Sequence, residues 1–436
     1  MTIRPHFVLG YLLLTAPAAA AQEPARLTLA EALARAAEHH PAAVEARWER
    51  RGREADAFGA AAAFLPTVSA ELGGTRTDDP VAAFGTRLRQ GRFAQADFAL
   101  GALNFPDPIG DVSTALSVEQ PLFQPEALSA RAAAGAAARA GRLAEERTGQ
   151  VVAFDVVRAY FGARLAADRV AVLEQSHAAA VGTLAQVERL RREGVVTVVD
   201  EQLARSRASE LESAVASARA GRTTAADHLL QLLGLDPATP VELTDSLAGP
   251  AEEPVTGPRA DLEALRAGVQ ASDAAVARAR SQWLPSVAAF GSLRWHDDDF
   301  GIAAGPRRWT AGLMIRWVPF RGLADVGALR RAQADRGASR ARLEAGERRA
   351  AAEVRGATVE LEAARTASGA AGAALVFAEQ AAKAATRRYE EGLATISELL
   401  AVRAAESSQR LALLQARYQA RVAEAALVLA RGGTPR

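Results

Sequence analysis

Residues 391–395 read EGLAT and repeat, 198 positions later, the segment EGVVT at 193–197. In each copy the glycine, Gly194 or Gly392, follows a long run of helix-forming residues. Glycine suits the left-handed conformation that commonly ends a helix. The repeated segment therefore predicts, at two places in the chain, the point where a long helix stops.

The same segment predicts where the next helix begins. Thr197 and Asp200 form the pattern T-x-x-D, and Thr395 and Glu398 form T-x-x-E. In a capping box the threonine side chain accepts a bond from the third residue of the helix, whose acidic side chain bonds back to the cap. We therefore expect a helix, a tight tip and a second helix in both copies.

The helices before the two tips should be unusually long. Residues 127–190 and 324–389 contain no proline and are rich in Ala, Arg, Glu and Leu, which favour helices. At 1.5 Å per residue, each helix would be about 90–100 Å long. Together with the return helices, these runs predict helical hairpins at about 127–233 and 324–430.

A second repeated motif divides the chain into two halves. FLPTVSA at 64–70 returns as WLPSVAA at 283–289. We assign 22–233 to a first structural repeat and 259–431 to a second. The proline-rich segment 234–258 between them is interpreted as a connector.

One helix is expected to lead into each repeat. The first should run from Leu27 to about Phe64, and the second, shorter helix should run from Asp261 to Trp283. Residues 39–40 are both histidines, and we interpret them as a pair at a helix end rather than as metal ligands, because no third ligand has a matching spacing.

Two extended segments follow each leading helix. Apolar and polar residues alternate at about 67–75, 112–120, 286–295 and 309–318. This period of two predicts β-strands with one apolar face. Their length of about nine to twelve residues suits a tilted strand that crosses an outer membrane.

Tryptophans support a membrane location for these strands. Trp309 and Trp317 share one face and would lie about 26 Å apart along the strand, near the two edges of an apolar band. Trp295 is a third candidate for a membrane interface. The alternative is a half-buried strand in a soluble sheet. Four strands cannot close a barrel, and open edges in lipid are costly, so the membrane interpretation requires several copies of the chain.

The N-terminus and the composition limit the possible functions. Residues 1–21 have the pattern of a secretory signal peptide, with Arg4 before a short apolar stretch and three alanines at 19–21. The chain has no cysteine and a net charge of +1. Disulfides, thiolate metal sites and a nucleic-acid footprint are therefore not indicated. No catalytic or cofactor-binding pattern is present, so we expect neither an enzyme nor a bound cofactor.

The chain resembles the TolC-like outer-membrane efflux protein family. Residues 389–401 read YEEGLATISELLA and follow the family pattern Y-x-x-G-x-x-[ST]-x-x-[DE]-[VL]-L-x-A, with Ala401 one place early. Further matches are LAEAL at 29–33 and PLF at 121–123. The resemblance extends from about Leu27 to Ala430.

The resemblance implies an α+β membrane protein built as a tandem repeat of helix–strand–strand–long helix–helix. Three copies would form a 12-stranded outer-membrane β-barrel, continued in the periplasm by an α-helical barrel of coiled-coil hairpins. The implied function is a passive exit duct of a tripartite efflux or type I secretion system. Its partners would be a periplasmic adaptor (membrane fusion) protein, an inner-membrane transporter and outer-membrane lipid. The alternative function is a periplasmic coiled-coil adaptor or scaffold, which would carry one hairpin rather than two.

The tip residues are the candidate functional site. Asp200 and Glu398 are expected both to cap helices and to form an acidic ring at the pore constriction. Some relatives have an arginine latch where this chain has Ala394, so a latch would need other residues. The candidates for it close to the tips are Arg191, Arg192, Arg387, Arg388 and Tyr389.

Overall fold

The computed structural model describes residues 25–249, 257–298, 302–303 and 305–436. The expected signal peptide, and part of the connector with Pro250 and Pro254, lie outside the described residues. The chain is a tandem repeat of helices and strands, so the expected α+β fold class is confirmed.

Two helical hairpins account for most of the chain. In the first, α5 (Pro125–Arg192) is followed by α6 (Val198–Leu232). In the second, α8 (Ala324–Glu390) is followed by α9 (Ile396–Ala430). The long helices have 68 and 67 residues, which makes each about 100 Å long.

The segment that leads into the first repeat differs from the expectation. One helix was expected from Leu27 to about Phe64, and this prediction is wrong: α1 (Leu29–His39) and α2 (Pro41–Ala62) are separate helices. The residue before a proline is disfavoured in the helical conformation, and His40 has an extended ψ of 128°. The Nδ1 atom of His40 accepts a 3.2 Å hydrogen bond from the Ala42 N–H, so this residue caps α2. The second repeat has one leading helix, α7 (Ala260–Ser281).

A four-stranded antiparallel sheet lies at the end of the molecule opposite the hairpin tips. Its strands are β2 (Thr67–Thr77), β3 (Ile109–Phe123), β5 (Ser286–Asp297) and β6 (Arg307–Arg316), in that order across the sheet. Three strands run two or three residues past their expected ends, whereas β6 ends two residues early. Among the described residues, no strand pairs with the free edges of β2 and β6.

A smaller sheet joins the first leading helix to the connector. β1 (Ala25–Leu27) pairs in parallel with β4 (Val241–Leu243), which the sequence reasoning did not anticipate inside the connector. Beside it the buried Tyr160 hydroxyl lies 2.8 Å from the Leu27 carbonyl oxygen and 2.8 Å from an Asp245 carboxylate oxygen. The same carboxylate accepts the Leu29 N–H at 2.8 Å. This network fixes the start of α1 against the middle of α5.

The loop between β2 and β3 is folded. It contains α3 (Pro80–Arg89), a 3₁₀ turn at Gln95–Phe98 and α4 (Leu100–Asn104). The Gln90 amide donates to the carbonyl oxygens of Gly110 at 2.8 Å and Asp297 at 3.1 Å. The loop is thereby tied to the outer ends of β3 and β5, meaning the ends farthest from the hairpins.

The helices are unequally buried within one chain. α5 buries a run of side chains that includes Val156, Val157 and Tyr160. In contrast, α8 has a similar length but buries only Asp325, Ala350, Leu361 and Ala382. One face of α8 therefore lacks a partner among the described residues. Within the described ranges, no helix has both the length and the apolarity to span a lipid bilayer.

Candidate functional site

The four-stranded sheet has two chemically different faces. Residues that stand opposite each other across neighbouring strands share a face, because side chains alternate along a strand. One such row is Ala70, Leu116, Leu293 and Trp309, and the next row towards the hairpins is Val68, Val118, Gly291 and Ala311. Most of the large apolar residues of the four strands thus fall on one surface, whereas Phe290 and Met314 lie on the other.

The opposite face of the sheet is polar and concave. A depression of about 460 Å³ lies on it. The residues of this face that line the depression are Thr67, Ser69, Ser117, Glu119, Phe290, Ser292, Arg294 and Thr310. The apolar surface is therefore the convex side, which is the arrangement of a membrane strand whose polar side faces a lumen.

The apolar face is uncovered in the single chain. Trp309 is 73% exposed, and Leu313 and Ile315 are each 70% exposed. Contiguous apolar surface of this kind marks a membrane or protein contact. No described element packs over it, so lipid is the medium that suits it.

The three candidate interface tryptophans lie at two levels. Trp295 and Trp309 are near the outer end of the sheet, in adjacent rows of the apolar face. Trp317 follows the last residue of β6, at the end nearest the hairpins. Its indole N–H donates to the Trp283 carbonyl oxygen at 3.1 Å. The role of all three at a membrane interface stays a prediction.

Both hairpin tips have the same backbone geometry. Gly194 and Gly392 have φ angles of +76° and +72°. After α5, the Val195 N–H donates to the Leu190 carbonyl oxygen at 2.9 Å, and after α8, the Leu393 N–H donates to that of Arg388 at 2.7 Å. This is the hydrogen-bond pattern of a Schellman motif, which places glycine at the left-handed position.

Both tips also contain a complete capping box. Thr197 N–H donates to the Asp200 carboxylate at 2.8 Å, and Asp200 N–H donates back to the threonine hydroxyl at 3.3 Å. Thr395 and Glu398 make the equivalent bonds at 3.1 and 3.2 Å. The two acids therefore sit at the tips as helix caps. Among the described residues neither of them forms an ion pair.

Three of the four candidate latch arginines have other partners in this structure. Arg191 pairs with Glu201 of its own hairpin. Arg192 donates to the Glu188 carbonyl oxygen at 3.3 Å, and Arg388 donates to that of Leu393 at 3.1 Å. A bond between these arginines and the capping acids stays a prediction for another state of the tip.

Tyr389 and Arg387 face the interior of the hairpin pair. The Tyr389 hydroxyl is buried and has no hydrogen-bond partner among the described residues. Burial raises the pKa of this phenol, and the negative charge of Asp200 raises it further. Arg387 lines a cleft of about 570 Å³ between the two hairpins.

Polar contacts bridge that cleft. The Arg403 guanidinium donates to the Thr183 hydroxyl at 3.0 Å, and Arg410 donates to the Gln175 side chain at 2.9 Å. The hydroxyls of Ser176 and Ser407 lie 3.0 Å apart. The two hairpins are therefore held together by hydrogen bonds across the cleft, and near the tips by a buried apolar cluster that includes Val187, Ile396 and Leu399.

Sequence reasoning missed Glu201. Its side chain is nearly buried between Arg191 and Arg205, and Arg205 also reaches Glu188 at 3.0 Å. The hydrogen bond from Arg191 lowers the pKa of the Glu201 carboxyl. The i, i+4 spacing of Glu201 and Arg205 was a visible signal, but the contact with Arg191 depends on how α5 and α6 pack.

A family model matches residues 32–235 and 257–433 of the chain. The family is described as outer membrane efflux protein. The chain belongs to the outer membrane efflux protein family. The efflux protein is accordingly an outer-membrane channel rather than an enzyme, and its helical hairpins form the periplasmic part. The alternative of a periplasmic adaptor or scaffold is set aside by this match.

Solved structures show the same fold. The efflux protein superimposes on the Campylobacter jejuni CmeC outer membrane channel with a TM-score of 0.80 at 16% identity, covering 94% of this chain and 86% of that one. For the Vibrio cholerae outer membrane protein VceC the TM-score is 0.76 at 19% identity, covering 94% and 97%. For the open state of the Neisseria gonorrhoeae MtrE outer membrane channel it is 0.76 at 18% identity, covering 94% and 89%. No curated protein matches the chain by sequence.

Arginine substitutions test which face of the sheet contacts lipid. Leu313→Arg and Ile315→Arg should each reduce the amount of assembled protein in the outer membrane, because a cation on the lipid face near the bilayer centre costs about 2–4 kcal/mol. Thr310→Arg is the matched control on the polar face of the same strand and should be milder. Equal, wild-type amounts of heat-modifiable oligomer for all three variants would reject the assignment.

The Glu201 pair predicts a pH-dependent stability. Because its pKa is lowered in the folded state, Glu201 stabilises the protein fully above the ordinary glutamate pKa of about 4.3, and this contribution is lost as the pH falls through the lowered value. Glu201→Gln should therefore lower the melting temperature at neutral pH, and the gap to wild type should close in acid. Glu210→Gln, which removes a mostly exposed carboxylate, should change little. A gap that is the same at every pH would contradict the prediction.

Proposed function

We propose that three copies of this chain form a closed barrel and act as the exit duct of a tripartite efflux or type I secretion system. The observation that carries the proposal is the four-stranded sheet with an apolar convex face and two free edges. In lipid each unpaired backbone group costs several kcal/mol. Further strands from other copies must therefore pair with β2 and β6.

The direction of the edge strands supports this assembly. The sheet is antiparallel throughout, so β2 and β6 run in opposite directions. The β6 strand of one copy can then pair with the β2 strand of the next without breaking the alternation. Three copies give twelve strands, an even number, as in bacterial outer-membrane barrels.

The helices supply a tunnel below the sheet. The face of α8 that lacks partners in one chain is available for packing against neighbouring copies. In a ring of three chains, the six hairpins would enclose a continuous passage about 100 Å long. Asp200 and Glu398 would line its periplasmic mouth as six carboxylates, which favours cations at the constriction.

The tips also support a protein partner. Val195 is 68% exposed, Val199 is 65% exposed and Leu393 is 64% exposed, and each lies within five residues of a tip glycine. Exposed apolar residues at the far end of a periplasmic structure fit a contact with the helices of an adaptor protein. Through that adaptor the duct would be coupled to an inner-membrane transporter, which supplies the energy.

Conductance across a planar bilayer tests the duct and its acidic mouth. The purified wild-type protein should conduct ions, and Glu398→Gln with Asp200→Asn should shift the reversal potential towards anions. Both substitutions remove charge but keep an oxygen that can accept the capping bond. Glu45→Gln on α2, away from the tips, is the control and should leave the potential unchanged. A protein that never conducts would overturn the duct, and an unchanged potential would reduce both acids to helix caps.

A further inference from the structure

Two arginines stand directly opposite each other on the polar face of the sheet. Arg294 of β5 and Arg308 of β6 are partners in the strand register, and both side chains are exposed. Side chains in such positions start about 5 Å apart, and like charges there destabilise a sheet. Neither guanidinium forms an ion pair or hydrogen bond with any residue that the structure describes. The position therefore holds two uncompensated cations side by side.

The neighbouring rows add hydrogen-bonding and apolar groups. Directly towards the hairpins lies a row of four hydroxyls, from Ser69, Ser117, Ser292 and Thr310. The following row contains Phe290, whose ring lies beside Gly312, so that a Cβ on this glycine would stand 3.1 Å from the ring. Arginines, hydroxyls and an aromatic ring thus follow one another over about 13 Å of strand.

Other charges on the polar face leave the arginines dominant. Glu71 belongs to the same row but is separated from Arg294 by Ala115, which places it about 10 Å away. Asp111 is buried and lies 2.9 Å from His296 Nδ1, so it is occupied. Glu119 is exposed and stands opposite Phe290, about 13 Å along the strands from the arginine row. The arginine pair is therefore the main exposed charge in the outer half of this face, and Glu119 is the nearest acid in its inner half.

We propose that Arg294 and Arg308 form an anion-binding site on the inner wall of the duct, which selects organic anions with an aromatic portion. Guanidinium groups bind carboxylate, sulfonate and phosphate oxygens with paired hydrogen bonds. The hydroxyl row supplies further donors, and Phe290 covers the apolar part of the ligand. The site rests on the proposed function, because its ligand must enter the lumen, and three copies place six arginines around one passage.

Binding of pyranine, an aromatic trisulfonate dye, tests the site on the purified full-length protein. The wild type should bind the dye, more weakly as salt rises. Arg294→Gln and Arg308→Gln should each weaken binding about tenfold, because each removes charge-assisted hydrogen bonds. Arg307→Gln is the matched control, since Arg307 is the next residue of β6 and lies on the apolar face opposite Trp295. It should bind like the wild type.

Further variants separate the site from other roles of the arginines. The double variant Arg294→Lys with Arg308→Lys keeps the charge and should retain part of the binding. Glu71→Gln should tighten binding if the arginines face the lumen freely. Unchanged dye binding in both glutamine variants, or no binding to the wild type, overturns the proposal. A third result would also overturn the proposal: Arg308→Gln and Glu71→Gln both lose the oligomer, and neither changes dye binding. Arg308 and Glu71 would then form an ion pair between neighbouring copies rather than belong to an anion site.

Conductance measurements distinguish failure of the anion-site proposal from failure of the proposed duct function. In planar bilayers Arg294→Gln and Arg308→Gln should shift the reversal potential towards cations, opposite to the variants of the acidic mouth. Conductance with no such shift and no change in dye binding refutes the anion site alone. Dye binding that depends on both arginines in a protein that never conducts refutes the duct alone.

Discussion

The free backbone groups along β2 and β6 constrain the rest of the structure. A sheet with an apolar convex face belongs in lipid, and there its two edges must be paired. One chain supplies four strands and cannot close on itself. Closure therefore requires other copies, and the opposite directions of β2 and β6 allow those copies to be identical.

The helices follow from the same constraint. Each repeat passes from a strand into a long helix, so a closed ring of strands would continue as a ring of helices. Within one chain α8 buries few residues, which is expected if its neighbours belong to other copies. Within one chain the hairpins are joined by the hydrogen bonds of Arg403 and Arg410 and, next to the tips, by the apolar cluster around Val187 and Leu399.

Local signals made much of the architecture predictable. Gly392 and Thr395 encode a helix stop and a helix start within four residues, so the tips could be located from sequence alone. The strands could be located because alternation with a period of two is also local, and β5 begins where expected, at Ser286. The family resemblance supplied what the residues did not: the assembly into a trimer and the function.

Contacts between distant segments could not be predicted. β1 and β4 are three-residue strands more than 200 positions apart, and neither has a pattern long enough to recognise. The partner of Arg191 depends on the packing of α5 against α6, and sequence spacing does not give it. The break at His40 is a different case, because Pro41 was visible and the helical pattern around it was given too much weight.

Disulfide trapping between β2 and β6 tests the central claim most directly, because the natural chain has no cysteine. Cysteines would be placed in pairs, one on the apolar face of β2 and one on the apolar face of β6. The positions are Val68, Ala70, Leu72 and Gly74 on β2, and Trp309, Ala311, Leu313 and Ile315 on β6. A disulfide needs Cα atoms about 4.4–6.8 Å apart. The account therefore predicts covalent trimers for those cysteine pairs that stand opposite each other when β2 of one copy pairs with β6 of the next in one fixed register. It also predicts no cross-link from Ala70 to Thr310, which lies on the polar face. The account would be contradicted if none of the apolar-face pairs gave a cross-linked oligomer.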